Sequence, residues 1–239
     1  MKIVDNYFCV YPDTKGVVNM GHSYDWASIP SYIPKVMKAF PLTIQILLMS
    51  LLFSLIIGAV VALGALSKNK AAKAAAKGWI SFMRGIPTLV LIFLLYLGLP
   101  QLMNALGVNM SGISKTTYIV ACLSLSTSAN MAEMMRAAYL SVNKGQKEAA
   151  YSVGMKPFMA FSRIIFPQAL GVAIPTLGNN IIMLFKETSL AFTIGVIDIL
   201  GKARQLDTNV SHVKTFEMYF SVAIIYWALA VLIQFIFSR

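Results

Sequence analysis

Charge-free runs constrain this chain more than any other feature. Residues 39–67, 85–114, 164–185 and 218–238 contain no Asp, Glu, Lys or Arg, and 116–132 is a shorter run of the same kind. A helix needs roughly 20 apolar residues to cross ~30 Å of hydrocarbon, where every backbone polar group must be satisfied within the segment. The pattern therefore predicts an all-α membrane protein with about five transmembrane helices, over 41–66, 86–105, 116–136, 166–186 and 217–237. Composition agrees: 58% of the 239 residues are hydrophobic and 12% charged, about half the charged share of a soluble domain. The first span begins too late, and is too long, for a cleavable signal peptide. No linker or low-complexity run interrupts the chain from residue 40 onward. One membrane domain over 40–239 is expected, preceded by an extracytoplasmic segment over 1–39.

The net charge of +11 raises the question of nucleic acid, and its placement answers it. Residues 67–84 carry Lys68, Lys70, Lys73, Lys77 and Arg84 with no acid, and 136–163 carry five cations against Glu148 alone. Segments 1–39 and 187–217 are nearly balanced. Positive loops stay in the cytoplasm, which puts the N-terminus outside and the C-terminus inside. Anionic membrane lipid, rather than nucleic acid, is the counterpart of such a charge. Cys9 and Cys122 are too few and too far apart for a disulfide framework. No His cluster, CxxC or HExxH points to a metal. A Walker GxxxxGK[ST] sequence is absent too, and no 100–150-residue soluble stretch exists to hold one, so ATP hydrolysis is excluded for this chain.

Before the first span, residues 1–25 read as a short strand and turn (KIVDNYFCVY, then PDTKG). Residues 26–41 read as an interfacial amphipathic segment with Trp26 and Tyr32 at headgroup level. Within the first span, Gly58, Ala59, Ala62, Gly64 and Ala65 are spaced for close helix packing.

Residues 141–167 (SVNKGQKEAAYSVGMKPFMAFSRIIFP) form a polar, glycine-punctuated island between two apolar spans. Glu148, Ala149 and Ala150 with Val153 suit a short helix, Gly154 can end it at positive φ, and Pro157 can start another in a new direction. The result is a compact knob. Glu148-Ala149-Ala150, Gly154, Ile164-Ile165 and Pro167 together strongly resemble the EAA loop of permease subunits of bacterial ABC importers. Arg84-Gly85-Ile86-Pro87 with the apolar run after it resembles the Arg-Gly-Thr-Pro segment of the polar amino acid branch, with Ile86 where Thr is usual. Lys186-Glu187-Thr188-Ser189-Leu190 resembles that branch's Lys-Asp-Thr-Ser-Leu segment, with Glu187 where Asp is usual.

Polar residues inside the spans mark candidate function. Ser124, Thr127 and Asn130 recur at spacing 3 on one helical face, either lining a pathway or contacting another helix. Glu133 either meets a substrate ammonium or gate, or pairs with Arg136 at i+3 or with Arg84; the family has Glu and then Arg in the matching positions. Pro175 and Gly178 loosen the fourth span, and Asn179 and Asn180 either line the pathway or bridge helices. Lys186 and Glu187 read as a gate-closing pair or a solvated helix start. AFTIGVIDI, too short to span, reads as a re-entrant or lateral helix near the outer mouth.

The resemblance covers roughly 40–237. It implies a type I ABC importer permease fold in the bacterial cytoplasmic membrane, and a pathway for a polar amino acid. Implied partners are a second copy or a homologous permease, two ATPase subunits docked on the two EAA loops, and an extracytoplasmic substrate-binding protein. ATP and Mg belong to the ATPase, and no cofactor to this chain. Family members usually continue past a position such as Arg239 with a few charged residues. Two alternatives stand beside this reading: an ATPase-independent channel or scaffold, and an ABC importer of another small solute.

Overall fold

The structure is a computed structural model that describes residues 25–209 and 214–237. Apart from Asp25, the expected strand and turn lie outside the described residues, as do Cys9, Ser238 and Arg239. Every element among the described residues is helical.

A short 3-10 turn at Trp26–Ser28 leads into α1 (Ile29–Met37), and a break at Lys38 and Ala39 into α2 (Phe40–Leu66). Next comes α3 (Lys70–Gly85), where the sequence reading placed only a basic loop. Its helicity has a local cause. Five alanines supply propensity, and the Asn69 side chain caps the start by accepting from the Ala71 and Ala72 amides at 2.9 and 3.5 Å. Ala76, Ile80 and Met83 are buried at helical spacing while the lysines face out.

After Ile86 and Pro87, α4 (Thr88–Ala105) rises with a π-type turn at Leu94–Gly98. Ser114 caps α5 (Lys115–Ser141), and the short α6 (Lys144–Ser152) follows. The long α7 (Pro157–Ile194) has a π-type turn at Phe161–Ile165, an α-helical body at Phe166–Glu187 and a 3-10 tail at Thr188–Ile194. Beyond a break at Gly195 (φ +80°) lie α8 (Ile199–Asn209) and α9 (Thr215–Phe237). Of the lateral helix expected within 191–199, the first part belongs to this tail, and the true short helix starts one residue after Asp198.

Four of these helices, α2, α4, α7 and α9, are long and apolar enough to cross a membrane. The third expected span coincides with α5, which is as long as α2 at 27 residues but much more polar. Thirteen of its residues are buried, among them Ser124, Ser126, Thr127 and Ser128. Its surroundings are protein, so lipid-like composition is not required of it.

Contacts fix the directions. Ser50 of α2 lies beside Val120 and Ser124 of α5, and Gly58 lies against Met131 and Ala132 further along both helices. The two run parallel. A Cβ on Gly58 would sit 2.7 Å from the Met131 Cβ, so only glycine permits this approach. Running the opposite way, α7 places Asn180 beside Met131 and Met134. In turn, α9 is antiparallel to α7: Phe185 meets Tyr226 with tilted rings, centroids 4.9 Å apart, and Gly178 receives Phe237. Gly178 is thus a close-approach glycine rather than a loosened joint, and the helix continues through Pro175.

One apolar core sits where α2, α4, α5 and α7 cross, around Ile46, Ile92, Leu123 and Leu184. A second joins α1, α8 and α9 through Tyr32, Val36, Ile199, Met218 and Ile225. Tyr32 is therefore only 8% exposed and packs inside, contrary to the headgroup placement expected of it. Trp26 is 57% exposed and meets Phe216 and Phe220 edge-on at 5.6 and 5.7 Å. The start of α1 is tied to the start of α9. Lys214 Nζ donates to Asp25 Oδ2 at 2.8 Å, the Asp25 amide to Glu217 Oε1 at 2.9 Å, and Ser221 Oγ to the Ile29 carbonyl at 3.1 Å.

Candidate functional site: a knob at one end and polar groups between helices

Only Val142 and Asn143 separate α5 from α6. Asn143 caps α6 by accepting from the Gly145 amide at 2.8 Å. At the other end the Met155 amide donates to the Ala150 carbonyl at 3.1 Å, and the Gly154 amide to the Tyr151 carbonyl at 3.0 Å, with Gly154 at φ +78°. This paired termination is a Schellman cap, and its left-handed residue favours glycine strongly. Pro157 then opens α7, as the spacing predicted.

The knob has two faces. Ala150 is 2% exposed and packs on the chain itself, so it offers no open surface to a partner. Glu148 and Ala149 are exposed. Val153 and Phe158 are 72% and 80% exposed, with Tyr151 beside them in sequence also open. Pro167 is exposed and lies in the first turn of the α7 body, beyond the π-type turn and apart from the knob proper.

Between the helices, Arg136 donates through Nε to Glu133 Oε2 at 3.0 Å and through Nη2 to Oε1. Of the alternatives open for Glu133, the i+3 pair is formed; Arg84 lines the same cleft without bonding to it. Ser124 is turned into packing, donating to the Val120 and Ser50 carbonyls. Thr127 is buried and Asn130 half-buried. Buried Asn180 aims its amide nitrogen at the Met131 and Met134 sulfurs, 3.9 and 3.8 Å away, and so bridges α7 to α5. Its neighbour Asn179 is exposed on another face. These five residues do not form one cluster.

Lys186 and Glu187 do not pair either, because adjacent helical residues point apart. Lys186 is exposed, whereas Glu187 Oε1 accepts from Thr88 Oγ1 at 3.3 Å, and Thr88 lies 3.2 Å from Ser126 Oγ. Thr88, Ser126 and Glu187 gather three helices around one carboxylate that has no cation in bonding reach among the described residues. Thr88 and Ser126 are not among the candidates the sequence offers; Ser126 lies between Ser124 and Thr127 of the spacing-3 set, which was its only signal. Asp198 also escaped notice. It caps α8 by accepting from the Gly201 and Leu200 amides at 2.8 and 3.3 Å, and accepts from the Tyr226 hydroxyl at 3.3 Å.

Residues 54–239 match the family described as binding-protein-dependent transport system inner membrane component. The chain is 39% identical over 218 residues to the L-cystine transport system permease protein TcyL of Bacillus subtilis, covering 91% of this chain and 90% of that one. It is 28% identical to the glutamine transport system permease protein GlnP of Escherichia coli, covering 90% and 95%. Among solved structures, that of an amino acid ABC transporter with histidines superposes with a TM-score of 0.78 at 30% identity, over 91% of this chain and 97% of the other. The MetNI methionine ABC transporter in an inward-facing conformation shares the fold alone, at 16% identity and a TM-score of 0.64.

Proposed function

Because the chain belongs to the family of binding-protein-dependent transport system inner membrane components, we propose that it forms the membrane pathway through which an ABC importer takes up a polar amino acid. The relatives of matching length are amino acid permeases, which supports the substrate class. The proposed topology has the N-terminus outside and the knob inside, in the bacterial cytoplasmic membrane. A second copy or a homologous permease faces it, and a substrate-binding protein delivers the amino acid from outside. Two partner ATPases supply ATP hydrolysis with their own ATP and Mg; this chain is not an enzyme.

One observation carries the coupling role. The knob exposes Tyr151, Val153 and Phe158 beside Glu148 and Ala149, an apolar patch with a polar rim at the end of the basic loops. Such a patch is covered in a functioning assembly. Since α6 is joined to α5 by two residues and to α7 by Val153 to Lys156, a push on the knob moves both helices as rigid bodies. For the pathway, the Thr88–Ser126–Glu187 cluster is the best-placed group to receive a substrate ammonium, since its carboxylate lacks a cation. Asn130 and Asn179 are the remaining candidates with open faces, and Glu133 with Arg136 serves as a structural pair.

ATP hydrolysis in lipid nanodiscs, with partner ATPase and amino acid-loaded binding protein, tests the coupling part, and amino acid uptake into proteoliposomes holding the same assembly tests the pathway part. Ala149→Arg places a long cation on an exposed helical position that tolerates it, and is expected to cut the stimulated rate at least about tenfold while the chain stays folded. An unchanged rate would remove the knob from coupling. Glu187→Gln is expected to leave docking intact and weaken amino acid uptake by about tenfold or more. Uptake at the parental level would exclude Glu187 from the pathway.

A further inference from the structure

Where α2 ends, α3 and α5 stand apart and enclose a cleft of about 870 Å³. Lys73, Lys77 and Arg84 line one wall and Arg136 the other, with Glu133 beside it. On α3 these cations recur four and then seven residues apart, so they share a face. Glu133 is already bonded to Arg136, and no ion pair among the described residues answers Lys73, Lys77 or Arg84. Neighbouring like charges on a helix repel. Four cations around one carboxylate make an anion-shaped demand. The cleft is not polar throughout: Leu66, Ile80 and Leu140 complete its walls, and Leu140 and nearby Phe82 are 56% and 58% exposed.

A small soluble anion needs the cations alone, whereas an amphipathic anion uses both kinds of wall. Arginine holds phosphate oxygens bidentately, and lysine stems cover hydrocarbon while their ammonium groups reach the charge. We propose that this cleft binds the phosphate of an anionic phospholipid, with the glycerol and first methylenes lying against Leu66, Ile80 and Leu140. The site lies at the end of the chain that bears the basic loops, where anionic headgroups are attracted. It spans α3 and α5, so its occupant ties the basic helix to the helix that carries the knob.

Native mass spectrometry of the full-length chain in mild detergent, titrated with short-chain phosphatidylglycerol, tests this directly. Phosphatidylcholine and inorganic phosphate serve as comparison ligands. One high-affinity phosphatidylglycerol per chain is expected, weakened at least about tenfold in the double variant Lys73→Gln, Lys77→Gln. Lys68→Gln with Lys70→Gln removes the same charge outside the cleft and should leave the affinity unchanged. Equal weakening in both double variants would reduce the effect to diffuse charge and overturn the site. Equally tight phosphatidylcholine would overturn the role of the anion. Displacement by inorganic phosphate at matching concentration would reassign the cleft to a soluble phosphate. None of these readouts uses an ATPase or a substrate, so they stand apart from the transport reading.

Discussion

Gly58 has a single structural duty, which is to let two helices touch. With its virtual Cβ 2.7 Å from Met131 Cβ and 3.1 Å from the Ala132 amide nitrogen, any larger side chain must push α2 from α5. Overpacking of this kind costs about 1–3 kcal/mol. Gly58→Val is expected to lower the detergent melting temperature by several degrees, whereas Gly85→Val, at a position with open space, serves as the contrast. Equal melting temperatures for the two would show that the α2–α5 contact is not what stabilises the chain. Residues of this kind were partly legible in sequence. The run of small residues was visible, but which of them meets a partner depends on a helix far along the chain, where Met131 sits. Gly178 makes the same point from the other side: its place near Pro175 suggests a loosened helix, yet it is the seat of Phe237. Local composition announces a glycine without saying what comes close to it.

At the level of elements, the boundaries of the apolar helices and the cap-turn-restart of the knob were legible, because both depend on local chemistry. The helicity of α3 is less legible, since its lysines fit charge placement in a loop as well as the outer face of an alanine-rich helix. The attachment of α1 to α9 lay hidden for a different reason: its partners are 189 to 192 residues apart. Its pH behaviour follows from the pair. The bond from Lys214 holds the Asp25 carboxyl below its usual 3.8, and the same bond raises the Lys214 ammonium above its usual 10.5. A lowered acid contributes fully above its unfolded value and loses that contribution as pH falls through the lowered one. A raised base contributes fully below its unfolded value and loses it as pH rises past the raised one. Between about pH 5 and 9 the attachment should therefore be indifferent to pH, and modest because it is exposed. Hydrogen exchange of the α1 amides should be flat across that range, once corrected for intrinsic rates, and should accelerate only below it and well above it. A step near neutrality would show that another group controls α1.

For the molecule as a whole, the lesson is one of shared burden. A membrane helix is ordinarily recruited by its own apolarity, yet α5 buries Ser124, Ser126, Thr127 and Ser128, carries a half-buried Glu133, and still stands at the centre of the bundle. The helix that organises the fold is thus the one least able to enter a bilayer unaided. Its entry during biosynthesis is expected to wait for company, and the face of α2 around Gly58 is the surface ready to receive it. As an isolated guest segment, α5 should insert poorly through a translocon, and with residues 40–114 ahead of it should insert almost completely. High insertion of the lone segment would remove the dependence. A chain built this way has a birth order written into it: lesions in α2 should appear first as failures of α5 to arrive, long before any loss of transport is measured.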